Sequence, residues 1–107
     1  ACVAQKLGVG FIPIRKPGKL PCDTVRCRYE LEYGADAVEM HRDAVAEGQN
    51  VLLVDDLLAT GGTMAAAAEL VERCGGRVAG VAFFIELTFL NGRDRLKGHD
   101  VVSLVKY

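Results

Sequence analysis

The sequence has no apolar run long enough to cross a membrane. Its longest, residues 51–54 and 78–85, fall far short of the roughly 18 residues that a helical span needs. A charged stretch followed by an apolar core is also missing from its first residues, so no secretory signal is expected. Nor is either sign of charge in excess. Thirteen Lys and Arg stand against fourteen Asp and Glu, for a net charge of -1 and a pI near 6.1, which is not the balance of a nucleic-acid-binding module. Cys2, Cys22, Cys27 and Cys74 form no C-x-x-C pair, and neither His41 nor His99 stands at zinc-ligand spacing from them. With no secretory signal, ordinary reduced thiols are expected rather than a disulfide framework. These absences predict a soluble, cytoplasmic protein that binds neither nucleic acid nor membrane.

What is present suits one small α/β unit. The 107 residues are half apolar and a quarter charged, enough for a modest core. Residues 1–7 read as the last turns of a helix closed by Gly8. There is no initiator Met and so short a helix is marginal alone, so the chain is expected to start inside a larger domain. Residues 9–14 (VGFIPI) read as a strand, and RKPGKLP after them as a loop. Residues 24–33 and 37–42 alternate apolar and charged positions, with a turn expected at Gly34, Ala35 and Asp36, so 24–42 reads as a β-hairpin. Residues 51–54 read as a strand buried on both faces, and 57–63 as a glycine-containing loop. A helix is expected over 64–74, stopped by Gly75 and Gly76, and a second buried strand over 78–87. A short polar helix or turn at 91–97 and a last strand at 101–105 complete the pass. Strand, loop, helix and strand over 51–87 imply a parallel crossover.

The chemistry concentrates in VLLVDDLLATGGT, residues 51–63. A strand delivers Asp55 and Asp56 to its C-terminal edge, where ligands bind in open parallel sheets. Ala59, Thr60, Gly61, Gly62 and Thr63 then lead into a helix. Glycines let backbone N–H groups approach a phosphate, the helix start adds partial positive charge, and the two threonine hydroxyls add donors. G-K-[ST] and G-x-G-x-x-G are both absent. Two carboxylates beside a phosphate cradle would repel a bare nucleotide phosphate. They suit a ribose diol or a bound magnesium ion, so the pattern calls for a ribose 5-phosphate. Leu57 and Leu58 stand where they either meet a flat base or join the core.

This stretch resembles the phosphoribosyl-diphosphate motif of the type I phosphoribosyltransferases, and DDLLATGGT resembles the adenine-specific members. The pieces IRKPGKLP (14–21) and YELEYG (29–34) are similar to that family's mobile loop, in the right order and at the right distance. The likeness continues through FIELTFLNGRDRL (84–96) and the closing SLVKY. It implies an α/β, parallel-sheet, Rossmann-like phosphoribosyltransferase core with a β-hairpin flap over residues 16–31. It also implies purine salvage, in which adenine and phosphoribosyl diphosphate give AMP and diphosphate, with Mg2+ and as a homodimer. Arg15, Lys16 and Lys19 would meet the diphosphate. Glu32 would face the base and handle its proton, and Tyr33 would pack over ribose or base, although a Glu beside a Tyr is ordinary on any hairpin. Asp55 and Asp56 would hold the ribose and, indirectly, the metal.

The likeness fails at the front, where the family's adenine-contacting segment and an arginine-containing diphosphate loop have no counterpart. These residues alone are therefore expected to show no adenine phosphoribosyl transfer, and the exposed edges of strands 9–14 and 78–85 to lack a neighbour or cover. Two other readings compete. A non-catalytic sensor of phosphoribosyl diphosphate would carry a helix-turn-helix, and none is visible. A receiver domain would need a phosphoacceptor at the end of a later strand, but Asp100 precedes its strand. Another 6-substituted purine remains open as the substrate.

Overall fold

A computed structural model describes residues 2–15, 24–31, 34–41 and 43–107, with side chains described at 4–14, 37–41 and 43–107. Helix α1 (Cys2–Leu7) ends at Gly8, whose φ of 68° is the left-handed conformation glycine tolerates best. The strand expected over 9–14 shrinks to β1 (Ile14–Arg15). Pro13 has no N–H to give a ladder, and residues 9–13 run without regular structure. Strands β2 (Thr24–Leu31) and β3 (Gly34–His41) pair antiparallel along their whole length, which is the expected hairpin. The turn is displaced from the expected position: Gly34, Ala35 and Asp36 lie inside β3, opposite Leu31, Glu30 and Tyr29. β1 pairs with the other edge of β3, giving the order β1-β3-β2.

The second sheet is parallel, ordered β4-β5-β6. It comprises β4 (Asn50–Leu58), β5 (Arg77–Glu86) and β6 (Val101–Lys106). Helix α2 (Gly62–Arg73) joins β4 to β5 as the expected crossover. Its end follows from the sequence. Gly75 takes φ 88°, its N–H donates to Glu72 O, and the Gly76 N–H donates to Val71 O, so the last carbonyls are satisfied. The apolar side of α2 (Ala67, Leu70 and Val71) packs with Leu53, Val81 and Phe83 of the sheet.

Three expectations need correction. β4 is not buried on both faces: α2 covers Leu53, but Leu52 and Val54 are 46% and 47% exposed. By alternation, Phe84, Val102 and Leu104 share that open face, and all are exposed. β5 does not lack a neighbour, since it is the central strand between β4 and β6; what it lacks is cover at Phe84, 57% exposed. The expected glycine loop is also shorter, because β4 carries the chain through Asp55, Asp56, Leu57 and Leu58, and α2 starts already at Gly62. Only residues 59–61 are left between them. A 3-10 turn, Gly92–Leu96, lies where the short polar helix was expected and packs against α2.

Candidate functional site

Asp55 and Asp56 sit inside the last turns of the β4 ladder. Asp55 pairs with Phe83 and Leu57 with Ile85, and the carboxyl groups of Asp55 and Asp56 lie close enough to interact. Both residues are exposed. The Asp56 N–H donates to Asp55 Oδ1 at 2.8 Å. Partial burial pushes the Asp55 carboxyl above its usual range; the Asp56 N–H works against this, while the Asp56 carboxyl adds to it. Asp55 lines an open, mainly apolar groove of about 1150 Å³ together with Thr63 and Met64. Residues 9–14 and β4 form most of the remaining wall, so the groove meets the candidate site only at that end.

The turn that follows is shaped by close backbone approach. Gly61, buried, takes φ 86° and serves as N-cap of α2 without any side-chain cap. The first helical bond runs from the Ala65 N–H to Gly61 O at 2.9 Å. The N–H groups of residues 62–64 precede it, at the positive end of the helix. Gly62 is buried, whereas Thr60 and Thr63 are exposed at the same edge. Leu58 is 1% exposed and belongs to the core, while Leu57 is 43% exposed. The structure therefore separates the two leucines, and only Leu57 stays available to a ligand.

The upstream candidates are placed less fully. Lys16, Lys19, Glu32 and Tyr33 lie outside the described residues. Arg15, expected in a loop, ends β1 opposite Glu39, a carboxylate only 2% exposed. Arg26 of β2 stands opposite the same Glu39.

A group that sequence reasoning missed is Glu86, at 4% exposure. The Arg93 Nε donates to both of its carboxylate oxygens at 2.9 Å, and Ser103 Oγ donates to Oε1 at 2.8 Å. These contacts, the Arg93 hydrogen bonds above all, hold the Glu86 carboxyl below its usual range against the opposing effect of burial. The signal was in FIELTF: a charge inside an apolar strand needs a partner.

The family model for the phosphoribosyl transferase domain matches residues 4–104. The chain belongs to the phosphoribosyltransferase family. Among curated relatives of this phosphoribosyltransferase domain, adenine phosphoribosyltransferase of Clostridium perfringens strain SM101 is 69% identical over 105 residues, 98% of this chain and 61% of the relative. That of Thermoanaerobacter sp. strain X514 is 60% identical over 107 residues, 100% of this chain and 62% of the relative. A crystal structure of adenine phosphoribosyltransferase from Thermoanaerobacter pseudethanolicus superposes with a TM-score of 0.97 at 59% identity, covering 99% of this chain and 62% of that one. The Saccharomyces cerevisiae enzyme superposes with a TM-score of 0.91 at 47% identity, covering 96% and 58%. The chain thus spans about three-fifths of the length of these relatives.

Proposed function

We propose that this domain forms the phosphoribosyl-binding core of an adenine phosphoribosyltransferase, which joins adenine to phosphoribosyl diphosphate and releases AMP and diphosphate. The observation that carries the reading is the join of β4 to α2. Two carboxylates, a three-residue turn and an uncapped helix start stand there in the order that a ribose 5-phosphate requires. Support also comes from what relatives hold. The yeast structure contains an imino-altritol bisphosphate with adenine, and a Trypanosoma brucei structure contains AMP, pyrophosphate and ribose-5-phosphate.

In this reading the backbone of residues 59–63 receives the 5′-phosphate, and Asp55 and Asp56 accept hydrogen bonds from the ribose hydroxyls. Arg15, Lys16 and Lys19 face the diphosphate, whose departure builds negative charge that cations stabilise. Leu57 offers an apolar surface to the base, while Glu32 and Tyr33 sit over it, with Glu32 moving the proton at the ring nitrogen. Among the described residues no three His, Cys, Asp or Glu side chains gather as metal ligands. Two adjacent carboxylates do fit magnesium, which keeps several waters and binds through few carboxylates plus substrate phosphates. When bound, magnesium neutralises charge on the diphosphate. We place the enzyme in the cytoplasm, as a homodimer in purine salvage; no helix among the described residues is long and apolar enough to cross a membrane.

The test is AMP formation by the intact protein from adenine, phosphoribosyl diphosphate and Mg2+, with hypoxanthine and guanine as competitors. Turnover preferring adenine supports the reading. Preference for another purine would reassign the substrate, and binding of the diphosphate ligand without turnover would favour a sensor.

A further inference from the structure

The buried Glu86 cluster lies outside the groups assigned to substrate, yet Glu86 pairs with Leu58, the residue that leads into the turn at 59–61. Arg93 bridges three elements. Its Nε donates to both Glu86 oxygens at the end of β5, and its Nη1 donates to Val101 O of β6 at 3.0 Å. Ser103 of β6 binds the same carboxylate. Arg93 belongs to the 3-10 turn Gly92–Leu96, so that turn is tied to the sheet by hydrogen bonds to a charged group, which are the strong ones. Leu96, 1% exposed, anchors the turn's other end in the core.

The next residue back carries this fixed position to residues 59–61. A Cβ built on Gly61 would overlap the Gly92 carbonyl oxygen and stand 3.3 Å from Arg95 Cβ. A Cβ on Gly92 would overlap the Ala59 carbonyl oxygen and stand 2.8 Å from Leu58 Cδ1. At both glycines the nearest atom is a backbone carbonyl oxygen of the other turn, so the two turns pack backbone on backbone. Gly92 has no positive φ, so glycine is needed there for close approach alone.

We propose that Gly92 and Arg93, with Glu86 and Ser103, are positioning residues for the phosphate-binding turn. They hold residues 59–61 at the height from which the N–H groups at the start of α2 reach a ligand phosphate. The proposal rests on the reading that this turn takes the 5′-phosphate. Phosphate held equally in ground and transition states affects KM and not kcat, so loosening the support raises KM for phosphoribosyl diphosphate at nearly constant kcat.

The experiment titrates AMP and adenosine into the wild-type protein, Gly92→Ala and Arg93→Lys, alongside steady-state kinetics. Lysine keeps the charge but loses the planar group that reaches Glu86 through Nε and Val101 O through Nη1 at once. AMP affinity is expected to fall roughly tenfold in each variant, the scale of one hydrogen bond to a charged group. Adenosine affinity should stay unchanged, and KM should rise without kcat. Should Gly92→Ala not fold, Arg93→Lys decides alone. A wild-type protein that binds AMP no better than adenosine overturns the phosphate reading itself. A wild type that prefers AMP, with folded variants that keep full AMP affinity, overturns the positioning role and leaves the cluster purely structural.

Discussion

Replacing Arg93 with Met removes the cation from a carboxylate that stays buried. Glu86 loses two 2.9 Å hydrogen bonds and keeps one, from Ser103. Breaking a fully buried pair costs about 3–5 kcal/mol. The Arg93 side chain, however, is 39% exposed against 5% for Glu86, so water screens part of the interaction and about 2 kcal/mol is expected at pH 7. For a domain of this size that lowers Tm by roughly 8–16 °C. The pH dependence is more diagnostic. The folded-state carboxyl lies below its ordinary 4.5, so the pair's stabilisation is complete above that value and lost as pH falls through the folded one. Without Arg93, burial raises the carboxyl instead, and the variant recovers relative stability on acidification. Urea unfolding at pH 7 and pH 4 measures both quantities. Equal stabilities at pH 7, or a difference that does not narrow at pH 4, would refute the argument.

Three more perturbations follow from the same geometry. Gly62→Val puts a branched side chain at the buried first residue of α2 and should weaken AMP binding by well over a factor of ~10, the scale of one lost charge-assisted hydrogen bond or more; unchanged affinity in a folded variant, read by calorimetry, would remove the phosphate assignment. Gly61→Ala meets both a φ of 86° and the Gly92 carbonyl, so denaturant unfolding should show a loss of about 2 kcal/mol or more. Asp55→Asn should weaken ribose 5-phosphate binding by about 1.5–3 kcal/mol and yet raise Tm at pH 7. Its raised carboxyl makes ionisation a cost above the ordinary value of 3.8, a cost that vanishes as pH falls.

Local signals made much of this fold legible. Alternation over 24–42 gave the hairpin, the alanine run 65–68 gave α2, and Gly75 with Gly76 gave its end, because each is settled within a few residues. The acidic pair and TGGT were equally readable. What escaped was decided at a distance. Whether Leu52 and Val54 are covered depends on what packs over their face, which composition does not encode. The extent of β4 through Leu58 depends on pairing with Glu86, 28 positions on. The Glu86–Arg93–Ser103 cluster needs two strands and a turn to meet, so only the lone charge in FIELTF hinted at it. Gly34 opens β3 opposite Leu31 rather than forming the turn, because glycine is as acceptable at a strand's first position as in a turn.

The proposed site stands or falls with where a phosphate binds. Amide chemical shifts followed during titration with ribose 5-phosphate, and separately with ribose, test this residue by residue. Saturable shifts centred on residues 59–65 are expected with ribose 5-phosphate, with smaller shifts at Asp55 and Asp56, and none near 59–65 with ribose alone. Shifts centred elsewhere, or identical for the two sugars, would contradict it.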